Sequence, residues 1–141
     1  MISVEMIGYF SQKPNTQRFP HSAMTPIYGD VGNFIAIVGL LGDAMLVRDL
    51  KSQMKAHAKT IDLKSMNAPR KMPGIDFSDH LNYWDRDITA VMVTDTSFFR
   101  NDNYHTENDT PDTRKVGPTK KVYKTRSTKR NSNNGSSPQS R

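Results

Sequence analysis

Hydrophobic positions in this chain fall into a few short apolar runs and one helical stripe, separated by loops rich in Pro, Gly and polar residues. Residues 2–8, Ile-Ser-Val-Glu-Met-Ile-Gly, predict a strand with a carboxylate, Glu5, inside it. Pro14, Pro20, Pro26, Gly29 and Gly32 punctuate residues 11–33 as a loop. Phe34 to Gly39 is continuously apolar, the pattern of a strand covered on both faces. Gly42-Asp43 then opens a helix, with Asp43 suited to accept the free backbone N–H groups of its first turn. Val47, Leu50, Met54 and Ala58 follow at helical spacing as one apolar stripe, and Arg48, Lys51, Lys55 and Lys59 supply a solvated face. Thr60 to Met66 predicts a short strand, Phe77 to Trp84 a short helix opening at Ser78, and Ile88 to Val93 a further strand. Thr94 to Thr113 is a polar loop. The succession strand, strand, helix, strand predicts an α/β fold, part of a mixed β-sheet flanked by helices.

Charge divides the chain in two. Residues 1–113 hold 11 Lys/Arg against 14 Asp/Glu, whereas residues 114–141 hold nine Lys/Arg and no acid. The overall net charge of +6 therefore comes from the tail. That tail is too poor in apolar residues to offset its ordering entropy, so it is expected to be disordered, and residues 1–113 form one domain. With no cysteine, any metal must be held by His, Asp or Glu. The first residues lack the basic-then-apolar pattern of a signal peptide, and the longest apolar run, Phe34 to Leu41, is too short to span a bilayer.

Two residues carry candidate chemistry. A carboxylate within a buried strand, such as Glu5, is costly to ionise unless it is paired, metal-bound or close to water at the strand end. His105 follows an aromatic on the loop beyond the last strand, where it is either a metal ligand or an ordinary loop histidine.

Their surroundings hold several ordered motifs: Glu5-Met6-Ile7-Gly8-Tyr9, Gly32-Asn33-Phe34-Ile35-Ala36, Ser78-Asp79-His80, Ala90 through Thr96, and Tyr104-His105-Thr106 followed by Asp109-Thr110-Pro111-Asp112. In these motifs, from about Ile2 to Thr113, the chain resembles the C-terminal half of a di-zinc exopeptidase of the bacterial leucyl aminopeptidase type, related to glutamate carboxypeptidase. The resemblance implies a zinc exopeptidase domain, a peptide substrate and a secreted or periplasmic parent. It implies that Glu5 binds one zinc and His105 the other, with the Tyr104 hydroxyl donating to the tetrahedral oxyanion. Asp109 is expected to orient the His105 imidazole through a hydrogen bond. Asp79, Tyr83 and Trp84 are expected near the substrate pocket, with plain packing the competing role for Tyr83 and Trp84.

The chain also departs from that pattern. A two-metal centre needs a bridging Asp, further ligands and a carboxylate base, which the resemblance places in an upstream His-x-Asp motif and a Glu-Glu pair. None of His21, His57, His80 and His105 has an Asp two residues on, and the two glutamates, Glu5 and Glu107, are not adjacent. The expectation is therefore a fragment of a zinc aminopeptidase that needs a missing N-terminal half, and that alone neither holds zinc tightly nor hydrolyses peptides. Where the family continues into a closing helix, this chain has Gly117 and Pro118, which oppose one and would leave an apolar sheet face uncovered. One alternative is a module that grips nucleic acid or another polyanion through its basic tail. The tail's single aromatic, Tyr123, supplies little base stacking, so nucleic acid is not the expected partner. Another alternative is a non-catalytic relative that binds peptides.

Overall fold

Each apolar run forms its strand, and the strands meet in an order the chain does not follow. The computed structural model describes residues 1–110. Its strands are Ile2–Glu5 (β1), Phe34–Leu40 (β2), Asp62–Ala68 (β3) and Val91–Thr94 (β4). Across the single mixed sheet they run β1-β4-β2-β3, with β1 parallel to β4, β4 antiparallel to β2, and β2 parallel to β3. The helices are the single turn Thr25–Tyr28 (α1), the long Ala44–His57 (α2) and the short His80–Trp84 (α3). The expected α/β architecture with a mixed sheet is present. No helix among the described residues is long and apolar enough to cross a membrane. The basic segment 114–141 lies outside the described residues.

Successive strand side chains face opposite ways, so the apolar β2 builds two cores. Ile35 and Ile37 pack with Leu63, Val91 and Val93 beneath α2, whose Val47 is buried and whose Leu50 and Met54 close over the cluster. Gly39 is required here, because a Cβ on it would sit 2.5 Å from Val47 Cγ2. Phe34, Ala36 and Val38 face the other way and join Ala68, Ile75, Trp84, Ala90 and Met92. On the edge strand β1, Ile2 and Val4 pair with Val91 and Val93 yet remain 49% and 61% exposed. That part of the α2-side face is uncovered among the described residues, an apolar patch of the kind that limits solubility.

Several boundaries differ from the pattern. The first strand stops at Glu5 because Met6 adopts φ 46° and its carbonyl accepts from Asp95 N–H. β4 begins at Val91 rather than Ile88, because Ile88 N–H is taken by Tyr83 O and pairing with the N-terminus starts when Val91 N–H donates to Met1 O. Asp43 does precede α2, but its side chain makes no capping bond; a 3-10 turn over Leu41–Asp43 leads into the helix instead. Lys51, on the expected solvated face, donates from Nζ to Ser65 Oγ at 3.3 Å.

His80 illustrates the cost of a polar group in the second core. Its Nε2 lies 2.5 Å from Ile75 O, so that nitrogen carries the proton, and Nδ1 is buried without a partner. Burial lowers its pKa below the ordinary value, against the backbone bond and the charges of Asp76 and Asp79. The unfolded chain therefore binds a proton that the folded protein resists, and His80 destabilises the fold progressively as the pH falls below about 6.5. Denaturant midpoints measured from pH 7.5 to 5.5 should fall more steeply for the native chain than for His80→Gln. Parallel slopes would contradict this.

Candidate functional site

The C-terminal ends of the parallel pair β1 and β4 place Glu5 and Thr94 side by side. Beyond parallel strand ends is where open α/β sheets form ligand crevices. Here a cavity of about 330 Å³ opens on the face opposite α2, and Glu5, Thr94, Tyr104 and His105 line it together.

The backbone around these residues is strained. Both parallel strands end in left-handed backbone, at Met6 (φ 46°) and at Thr96 (φ 75°) with Ser97 (φ 44°). His105 is left-handed as well, at φ 58°. Such conformations cost on the order of 1–3 kcal/mol each for non-glycine residues and collect where function fixes geometry. A buried polar knot holds the segments that follow the two strands in place. Asp95 Oδ2 accepts from Tyr9 N–H at 2.7 Å and Oδ1 from Ser97 N–H at 3.0 Å. Arg100 donates from Nε to Gln17 Oε1 at 2.5 Å and from Nη1 to Tyr9 O at 3.2 Å, with its guanidinium 4.4 Å from the Phe34 ring centroid. Burial pulls the Arg100 pKa down to about 10, opposed by the negative charge of Asp95.

The loop beyond this knot presents the tyrosine and histidine. Tyr104 Oη donates to Glu5 Oε1 at 3.3 Å, across 99 positions of sequence. Ser78 Oγ donates to the other oxygen, Oε2, at 3.4 Å, and is itself 2.7 Å from Ser3 Oγ. Burial, then the charge of Glu5, raises the Tyr104 pKa, so the phenol is a neutral donor at ordinary pH. The His105 ring stacks on Tyr104 at 4.0 Å and 15° and is exposed at the cavity edge. A carboxylate, a phenol and an imidazole thus converge on one apolar cavity.

The remaining expected residues are placed otherwise. Asp109 does not hydrogen-bond the imidazole; its Oδ1 accepts from the buried Asn101 Nδ2 at 3.1 Å, closing the loop that carries Tyr104 and His105. Asp79, Tyr83 and Trp84 do not line the cavity. α3 turns Trp84 inward, 2% exposed, with Nε1 donating to Ala90 O at 2.9 Å. The same turn leaves Asp79 and Tyr83 exposed. Within Ser78-Asp79-His80 it is Ser78 that reaches the site. The pattern also missed Lys64 and the aromatics Phe19, Tyr28, Phe98 and Phe99, which line the cavity. Lys64 had a weak signal, a lysine within a predicted strand; the loop aromatics had none.

Comparison with known proteins shows a similarity to a bacterial protein. Over 112 residues the chain is 49% identical to a protein of Escherichia coli (strain K12) described as "Uncharacterized protein YfbL". The match covers 79% of this chain and 34% of that protein, so the chain spans about a third of the length of the curated relative it matches. No family model matches the chain. No solved structure matches it either.

Proposed function

We propose that this chain is a portion of a zinc aminopeptidase whose remaining metal ligands and general base belong to polypeptide outside it. The observation that carries the reading is the convergence of Glu5, Tyr104 and His105, from opposite ends of the described chain, on one cavity. Those three residues are the ones the motif resemblance assigns to metal binding and oxyanion stabilisation. Tyr104 suits the second role, because a neutral phenol facing the cavity donates to developing negative charge without prior deprotonation.

The residues present do not fit a zinc by themselves. A catalytic zinc takes about three protein ligands and a water. Among the described residues no three His, Asp or Glu side chains are grouped to hold a metal ion. On this reading the chain alone should neither retain zinc tightly nor hydrolyse peptides.

The test compares two proteins after dialysis: the chain itself, and a chimera in which residues 1–110 replace the matching part of E. coli YfbL. The chain should keep under about 0.2 equivalents of zinc, and the chimera close to two, since ligand count sets affinity. The chimera should release nitroaniline from leucyl p-nitroanilide, and His105→Ala in it should lower that rate by about 100-fold or more. A folded chimera without zinc or activity would refute the peptidase reading. Two equivalents of zinc on the chain alone would refute the shared centre.

A further inference from the structure

One row of side chains crosses the cavity floor from edge to edge of the sheet. Glu5 pairs with Thr94, Thr94 with Ala36, and Ala36 with Lys64, and all four line the cavity. Three strand spacings separate the ends, about 14 Å between the outer Cα atoms. A carboxylate therefore stands at one end and an ammonium at the other, with small side chains between them and Phe34, Met92 and Phe98 as apolar walls.

Both ends have unused capacity. The Lys64 ammonium has three donors and spends one on Tyr28 O, while its Nζ lies 4.4 Å from the Phe34 ring centroid. Its nearest carboxylate oxygen, Asp62 Oδ2, is 3.9 Å away, beyond hydrogen-bond distance, on a side chain 59% exposed. The remaining donors of this half-buried ammonium are placed to take a carboxylate in the cavity. At the other end Glu5 accepts two long bonds, 3.3 Å from Tyr104 and 3.4 Å from Ser78, of the roughly four its two oxygens can accept.

We propose that this cavity binds short free peptides with the amino end toward Glu5 and the C-terminal carboxylate on Lys64, so that its ligand class is the free di- or tripeptide. Extended chain advances about 3.4 Å per residue, so three residues reach about 10 Å. A hydrogen bond of about 2.8 Å at each end takes roughly 6 Å from the row, so upright side chains leave about 8 Å for the ligand, between the reach of two residues and of three. The 330 Å³ cavity sits at the lower end of the ~300–1,000 Å³ range for ligand pockets, enough for three small residues and too little for a long peptide. The inference deepens the aminopeptidase reading and rests on it for the ligand being a peptide.

Calorimetric titration of the full-length, metal-free chain tests it. Leu-Gly-Gly should bind roughly tenfold or more tightly than Leu-Gly-Gly-amide, as the loss of one charge-assisted bond implies. Lys64→Gln should remove that preference and Lys64→Arg should retain it. Equal binding of acid and amide to the native chain, or no binding of either at millimolar concentration, overturns the proposal without need of a variant. Leu-Glu-Gly-amide binding as tightly as Leu-Gly-Gly would overturn the assignment to the C-terminal carboxylate in favour of an acidic side chain. The outcome is separable from the peptidase test. Carboxylate preference with an inactive chimera removes only the peptidase, and an active chimera without that preference removes only the carboxylate site at Lys64.

Discussion

Trp84→Ala should destabilise the protein by about 3–5 kcal/mol, the range for emptying a fully buried large aromatic site. Trp84 is 2% exposed in the core between the sheet and α3, packs edge-on against His80 at 4.4 Å, and donates Nε1–H to Ala90 O at 2.9 Å. Removing it leaves a cavity, strands a backbone carbonyl and loosens the segment leading into β4. Domains of this size hold on the order of 5–15 kcal/mol in total, so the variant should be close to unfolded at 37 °C. Because this is the chain's single tryptophan, unfolding must be followed by circular dichroism rather than indole fluorescence. Trp84→Phe keeps most of the packing and should lose only about 1–2 kcal/mol, chiefly the Nε1 bond. If Trp84→Ala unfolds at the native denaturant midpoint, the packing of the indole and its bond to Ala90 O contribute nothing to stability.

Asp95→Asn should cost about 3 kcal/mol or more, although the side chain hardly changes size. The fully buried carboxylate accepts from two different N–H groups, those of Tyr9 and Ser97. An asparagine offers oxygen to one and must present its own N–H₂ donor to the other. The buried Arg100 also loses the negative charge that offsets its desolvation. The effect should reach the site, because Asp95 holds the turn at Thr96 and Ser97 on which the Tyr104 loop depends. Urea titration measures the stability loss, and loss of Leu-Gly-Gly binding under native conditions measures the displacement. A midpoint within error of the native chain would show that Asp95 carries no such tension.

Glu5, Tyr104 and His105 stand out in the sequence because each sits in a short ordered motif, and the fold brings all three to one cavity. Asp79, Tyr83 and Trp84 stay off the cavity for a concrete reason, and Trp84 takes the competing packing role. α3 is only five residues long, so a small rotation decides which side chains enter the core, and no periodic stripe exists to reveal it. Asp109 was assigned to the wrong partner because a four-residue offset from His105 says nothing about which way a loop folds back. Lys64 was overlooked because its meaning lies in the row it completes with Ala36, Thr94 and Glu5, and no local pattern encodes that register.

Local pattern by itself determined where the strands and the long helix lie, that β2 is covered on both faces, that the positive charge belongs to residues 114–141, and which carboxylate and imidazole carry candidate chemistry. These follow from side-chain periodicity and ionisation, which neighbouring residues set. Tertiary structure alone decided the order β1-β4-β2-β3, the placement of Trp84 in the core, and the alignment of Glu5 and Lys64 at opposite ends of one cavity. Those depend on pairings between residues far apart in the chain, where hydrogen bonding and burial over the whole sheet select one register.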